Sequence, residues 1–263
     1  MASRHIITLL SDFGTQDIYV AAMKGTIARV NPDLQLIDLT HQIPAQNIAA
    51  GRFCLLSAYP YFPVNTVHVA VVDPGVGSRR RAVAVQFPEG FVVAPDNGLI
   101  SGILTLSPVL AAVELTNSNY WRVPDPSLTF HGRDIFAPVG AHLASGVPLA
   151  DLGESINPAS LVELPISQYQ ETTTGIEGYI QYIDRFGNLV TNIPAAAVEN
   201  QQQWSLLVGR QSLSHGYTYA DTQPGSIVAL VGSHGWVEIA VNRGSARSLL
   251  RLNYGDPVQI AFR

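Results

Sequence analysis

Strands alternating with helices over the first part of the chain, strands nearly alone over the rest, and few charges throughout predict two domains. The first is an α/β N-terminal domain with a largely parallel central sheet. The second is a smaller antiparallel all-β C-terminal domain. The 263 residues are enough for two unequal cores. Hydrophobic residues make up 47% of the chain and charged residues 13%, which excludes a disordered polymer. The same charge poverty implies apolar surface that a neighbouring subunit would cover.

Residues 6–10 are a short apolar run, read as a buried strand, and end in the polar turn Ser11-Asp12-Phe13-Gly14. Residues 17–30 read as a helix stopped by Asn31-Pro32. A strand over 34–39, a helix over 46–59 and a strand over 66–72 follow, the last ending in Asp73-Pro74-Gly75. Strands over 82–87 and 91–94 lead into Asp96-Asn97-Gly98. A short helix over 100–106, a strand over 112–115 and a helix over 134–144 complete a domain assigned to residues 1–166. Residues 167–174 are polar and read as a linker, and 175–263 as the β domain, a barrel or sandwich. Its expected strands cover 178–184, 189–193, 204–208, 227–231, 236–241 and 257–262, with Gly-rich turns between them.

The net charge is −5 and the only basic run is Arg79-Arg80-Arg81, so no nucleic-acid partner is expected. No apolar run reaches transmembrane length and no signal peptide precedes the first strand, which predicts a soluble, cytoplasmic protein without membrane contact. The single cysteine, Cys54, excludes an internal disulfide and a Cys-rich metal site, and reads as a buried core thiol.

Ligands of open α/β sheets sit beyond the carboxyl ends of the strands. Asp12, Asp73 and Asp96 all fall there. Any one of them alone reads as a turn or cap aspartate, whereas three at one edge point to a site. Residues 73–78 lack the Gly-Lys-Ser/Thr of a Walker loop and the spacing of a dinucleotide fingerprint. Phe130-His131-Gly132-Arg133-Asp134 opens the helix over 134–144, and His131 between small and charged residues is unusual for packing. His41, at another strand end, reads as structural. In the β domain, Asp184-Arg185-Phe186-Gly187-Asn188 reads as a hairpin turn, and Ser233-His234-Gly235 and Asn242-Arg243-Gly244-Ser245 flank the strand over 236–241. One reading of these groups is a metal-dependent hydrolase using Asp12, Asp73, Asp96, His131 and Asp134 as hard ligands. No compact ligand motif accompanies them, so no metal is expected.

Taken together, Ser11-Asp12-Phe13-Gly14, Val72-Asp73-Pro74-Gly75-Val76-Gly77, Ala94-Pro95-Asp96-Asn97-Gly98, Phe130-His131-Gly132-Arg133-Asp134, Phe186-Gly187-Asn188 with Thr191-Asn192, and Glu238-Ile239-Ala240 occur in an order that resembles the SAM hydroxide adenosyltransferases. These act on S-adenosyl-L-methionine (SAM) and are relatives of the fluorinase and chlorinase; a non-catalytic adenosine or SAM sensor on the same scaffold is a further alternative. The resemblance spans nearly the whole chain. It implies hydrolysis of SAM, in its R-sulfonium epimer, to adenosine and methionine without a cofactor, by a homotrimer whose sites lie between subunits. It places the family's catalytic trio on Asp73, Arg80 and His131, with Arg79 and Arg81 each one residue away from the arginine chosen. It puts Asp12 on the ribose hydroxyls, Asn188, Ser233, Glu238 and Val241 around adenine and methionine, and Asp184 near the methionine ammonium. The halogenating relatives carry uncharged residues where this chain has Asp73 and His131, which favours water over halide. Where the fluorinase pattern has Arg after the serine, this chain has His234, which leaves the carboxylate's partner open.

Overall fold

The computed structural model describes residues 5–165, 168–201, 203–209 and 211–262. Contacts divide the chain into two compact units, residues 1–164 and 165–263. The expected boundary falls on Ile166 and Ser167, which lie outside the described residues.

In the first unit the strands are β1 (Ile6–Ser11), β2 (Gln35–Thr40), β3 (Thr66–Val71), β4 (Ala82–Phe87), β5 (Gly90–Pro95), β6 (Ala111–Glu114) and β7 (Glu154–Ser155). The helices are α1 (Tyr19–Val30), α2 (Ile48–Ala58), α3 (Ser101–Leu106) and α4 (Ala137–Ala144). The strands make one sheet in the order β2-β1-β3-β5-β4-β6-β7. Its first four members run parallel, but β4 is antiparallel to both β5 and β6, and β6 to β7. The sheet is therefore mixed, not largely parallel as the sequence suggested. The cause is the connection between β4 and β5. Only Pro88 and Glu89 separate Phe87 from its partner Gly90, and a two-residue link can only turn the chain back. A parallel return would need a crossover of a dozen residues or more. Gly90 also lies close against the backbone of β3, since a Cβ there would lie 2.3 Å from the Thr66 carbonyl oxygen.

All six residues of β3 are buried, as a central strand covered on both faces requires. α1 turns Val20, Met23, Thr26 and Ile27 inward at helical spacing, and α2 starts at Asn47, whose side chain accepts the Ala50 N–H at 2.9 Å. Met23, Ile27, Val69, Val71, Phe136 and Val139 belong to one core beneath the sheet. Cys54 in α2 is only partly buried, so the expected core thiol is a peripheral one.

The second unit holds β8 (Gln170–Thr172), β9 (Gly175–Ile183), β10 (Leu189–Pro194), β11 (Trp204–Val208), β12 (Gln211–Ser214), β13 (Ile227–Val231), β14 (Trp236–Val241), β15 (Pro257–Phe262) and a short helix α5 (Ala246–Leu250). The strands form one antiparallel sheet in the order β12-β11-β15-β9-β10-β14-β13, with β8 on β9. A bridge from His215 to Ala229 links its two ends, so the sheet nearly closes into a barrel. β8 lies inside the stretch read as linker. Ile176, Ile180, Trp204, Leu206, Val237 and Ile260 belong to its core. Among the described residues no helix is long and apolar enough to cross a membrane.

Candidate active site

β1, β3 and β5 end at one edge, with Ser11 level with Val71 and Val69 level with Val93. Asp12, Asp73 and Asp96 therefore leave the same side of the sheet, as their strand-end positions imply. They have different partners there.

Asp73 opens a loop pinned by Val76 N–H on the Asp73 carbonyl and by Arg80 N–H on Ser78 Oγ, at 3.2 Å each. Gly77 takes φ +76°, and a Cβ there would sit 2.4 Å from the Leu128 carbonyl oxygen, so only glycine fits the close approach. The loop returns Arg80 onto Asp73. Arg80 Nε donates at 3.0 and 3.1 Å to the two carboxylate oxygens, and Nη2 at 2.5 Å to Oδ2. The same Nη2 lies 2.7 Å from His131 Nδ1. The side chains of Arg80 and Asp73 are only 10% and 5% exposed, so this ion pair is shielded from water. The Phe136 ring lies 5.3 Å from the guanidinium.

His131 is held by a knot in the backbone that follows it. Residues Gly132–Phe136 form one wide turn, closed by Ala137 N–H onto the Gly132 carbonyl. Pro138, second in α4, has no N–H to offer the Asp134 carbonyl four residues back. That carbonyl accepts Arg122 N–H at 2.9 Å instead. The Asp134 carboxylate is fully buried and takes Arg133 Nε and Nη2 at 2.6 and 2.8 Å, Ser127 N–H at 3.0 Å, and Arg122 Nε. The two arginines hold its carboxyl well below the usual carboxylate range against the opposing effect of burial. Phe130, Phe13 and Tyr19 pack together, with centroids 5.2–5.8 Å apart, and so tie the His131 segment to the Asp12 turn.

The proton positions on His131 follow from its neighbour. A guanidinium has no acceptor, so Nδ1 must accept from Arg80, and the neutral ring carries its proton on Nε2. Burial and then the Arg80 charge push the imidazole below its ordinary value, against weaker pulls from Asp73 and Asp134. The trio is therefore a carboxylate, a fixed cation and a neutral imidazole that can donate from Nε2.

Of the three adjacent arginines, Arg80 is the one that joins Asp73 and His131. Arg81 donates from Nε and Nη2 to Asp96 at 2.9 and 2.5 Å. Asp96 also takes Val162 N–H at 2.8 Å, so it fastens the segment near Val162 to the sheet edge. Asp96 and Asp134 are both engaged by arginines, which removes two ligands from the metal reading. Among the described residues no group of three or more His, Cys, Asp or Glu side chains could hold a metal ion. Asp12 lies outside the Asp73 cluster's hydrogen bonds, and its Oδ2 accepts Gln46 N–H at 2.7 Å.

In the second unit Asp184 organises the β9–β10 turn. Its Oδ1 accepts Phe186 and Asn188 N–H at 2.9 and 2.8 Å, and Oδ2 accepts Asn188 Nδ2 at 2.9 Å. Glu238 is buried on β14 and paired with Val190, two residues past Asn188. It accepts Tyr219 Oη at 2.7 Å and lies 2.9 Å from His234 Nε2. Burial, then the Glu238 hydrogen bond and charge, push the Tyr219 phenol up to about 12. Ser233 stands in the tight β13–β14 turn, and Val241 ends β14, 7% exposed. Tyr219 carried no sequence signal, because no motif surrounds it. His234 did stand beside Ser233, and its contact with Glu238 is the addition.

Residues 7–153 match the family model described as SAM hydroxide adenosyltransferase N-terminal domain, and residues 178–259 the corresponding C-terminal domain. The chain is 43% identical over 261 residues to the (R)-S-adenosyl-L-methionine hydrolase of Salinispora arenicola, covering 99% of both chains. It is 39% identical over 264 residues to the enzyme of the same name from Thermus thermophilus, covering 97% of this chain and 98% of that one. The crystal structure of an uncharacterized conserved protein from Thermotoga maritima superposes with a TM-score of 0.91 at 33% identity, over 97% of this chain and 100% of that chain. With both family domains matched in order along the length, this chain belongs to the SAM hydroxide adenosyltransferase family.

Proposed function

We propose that the protein hydrolyses the R-sulfonium epimer of SAM by attack of water at C5′, giving adenosine, L-methionine and a proton. The observation that carries this is Arg80 bridging Asp73 and His131 at the sheet edge, in a chain whose full-length relatives are named (R)-S-adenosyl-L-methionine hydrolase.

The sulfonium departs as a neutral thioether, so the leaving group needs no acid. The difficulty is the nucleophile, because free water has a pKa of about 15.7. Asp73 accepts a hydrogen bond from the attacking water and takes its proton late. Arg80 stabilises the developing hydroxide from a shielded position. His131 Nε2–H, the ring's free donor in the tautomer above, orients the water oxygen in line with the C5′–sulfur bond. A carboxylate is far too weak a base to deprotonate free water, whose pKa is about 15.7, so proton transfer accompanies attack instead of preceding it. Asp12 accepts the ribose hydroxyls, and Asn188, Ser233, Glu238 and Val241 contact the adenine and methionine portions.

The reaction is proposed to need no metal or cofactor. Purified protein dialysed against a chelator is expected to release adenosine and methionine in equal amounts from (R)-SAM, measured by HPLC. Methylthioadenosine as the product would defeat the proposal, since that molecule keeps the C5′–sulfur bond. Loss of turnover on chelation, restored by a divalent ion, would support the metal reading instead.

We also propose a homotrimer, a reading supported by the 13% charged content and by family membership. Light scattering is expected to give three times the 28.3 kDa chain mass. A fully active monomer would exclude the trimer as the working form.

A further inference from the structure

The turn that presents Asp12 is gripped from the connection between β2 and α2 at three points. Ser11, the last residue of β1, is wholly buried, and its hydroxyl lies 2.7 Å from His41 Nδ1. The same hydroxyl accepts Phe13 N–H at 3.3 Å. The His41 carbonyl accepts Gly14 N–H at 2.7 Å. One residue, His41, thus holds the turn before Asp12 by its ring and after Asp12 by its backbone. The third point is Gln46, whose N–H donates to Asp12 Oδ2 at 2.7 Å. Gln46 sits at φ +64°, a left-handed conformation that a glutamine adopts at a cost.

The His41 ring is itself fixed. It is 4% exposed, and Nε2 lies 3.2 Å from Asp38 Oδ1, while Lys24 Nζ donates to Asp38 Oδ2 at 2.6 Å. The proton order follows. Phe13 N–H can only donate, so Ser11 Oγ accepts there; the Asp38 carboxylate, which can only accept, lies 3.2 Å from Nε2 and favours the ring proton on that nitrogen, leaving Nδ1 to accept the Ser11 proton. The Ser11 hydroxyl thus couples Phe13 N–H to the buried His41 ring in one geometry.

We propose that His41, acting through Ser11, is a positioning residue that aims the Asp12 carboxylate at both hydroxyls of the ribose, and so sets the protein's preference for an intact cis-diol. This rests on the reading that Asp12 binds ribose. Two hydroxyls on adjacent carbons need a carboxylate of fixed orientation, because a freely turning one takes them singly. Asp12 receives one backbone hydrogen bond on Oδ2, so its direction comes from the turn that carries it.

The test compares dissociation constants of adenosine and 2′,3′-dideoxyadenosine, by calorimetry, for the wild type, Asp12→Ala, Ser11→Ala, His41→Ala and His41→Asn. The wild type is expected to prefer adenosine, and Asp12→Ala to lose that preference. Ser11→Ala and His41→Ala are expected to reduce the preference about tenfold by weakening adenosine alone, the scale of a charged hydrogen bond to a hydroxyl. His41→Asn, whose amide oxygen can accept the Ser11 proton close to the place of Nδ1, should recover most of it. A merely structural role would weaken both ligands together, and that result overturns the inference. So does a preference kept in Ser11→Ala and His41→Ala but lost in Asp12→Ala, which leaves the Asp12 reading intact. No preference in the wild type, or one that survives Asp12→Ala, overturns the Asp12 reading and this inference with it. Should His41→Ala fail to fold, Ser11→Ala, which removes a single oxygen atom, decides.

Discussion

Asp73→Asn and His131→Ala are each expected to lower kcat by about 10²-fold or more while SAM still binds. The reason lies in which state each residue favours. Asp73 and His131 act on the attacking water, whose charge develops only in the transition state, so their loss falls on kcat and not on substrate affinity. Asn at residue 73 keeps the shape and can still meet Arg80, but it cannot receive the water's proton. The effects should not add in the double variant, because Arg80 joins both residues into one unit. The pH profile carries a second signature. The His131 imidazole is held below its ordinary value, so it stays neutral through neutral pH and protonates only on the acid side. Protonation would put an N–H on Nδ1 facing the Arg80 guanidinium and would break the bridge. kcat should therefore hold as pH falls through 7 and decline at lower pH. Adenosine release by HPLC gives kcat, and calorimetry with the variants gives affinity. Near-normal turnover in both variants would remove the water-activation role.

Asp73 and His131 stood out as candidates because each lies where a sequence pattern breaks, Asp73 where the buried run of β3 stops and His131 beside a glycine with charges two and three places on, while the trio as a set came from the family resemblance. Arg80 was legible only to within a residue, since backbone twist, not composition, decides which of three adjacent arginines folds back. The β4–β5 pairing was less readable. Val83, Val85, Val92 and Val93 form two buried runs that look alike whether parallel or antiparallel, and only the Pro88-Glu89 link decides the direction. β12 went unseen because Gln211, Ser212 and Ser214 are polar and exposed, as an edge strand tolerates. Asp96 and Asp12 look equivalent in sequence, both one residue beyond a strand. The difference is Arg81, fifteen residues before Asp96, and a contact at that separation leaves no local trace.

Asp134→Asn is expected to destabilise the protein on the order of 2–3 kcal/mol at neutral pH, below the roughly 3–5 kcal/mol of a wholly buried pair. The discount follows from Arg122 and Arg133, whose side chains remain 33% and 31% exposed and can turn partly to water. What the variant loses is the charge that gathers both guanidiniums and the Ser127 N–H around one carboxylate. Tm should fall by roughly 4–12 °C for a chain of this size. The acid dependence identifies the source. The Asp134 carboxyl is held below its unfolded value of 3.8, so the folded state binds fewer protons than the unfolded state in that range. Its contribution is complete well above pH 3.8 and is lost as pH falls through the lower, folded value. Wild type and variant should therefore differ most at neutral pH and converge in strong acid. His131 stands three residues earlier, on the segment this carboxylate ties down. kcat should fall in the variant even at temperatures where it is fully folded, because a displacement of about 1 Å at the reacting groups can cost up to 10²-fold. Thermal melts at a series of pH values, with kcat measured well below Tm, test both parts. A stability gap that stays constant into strong acid would show that the charge is not the source, and an unchanged kcat would separate Asp134 from the placement of His131.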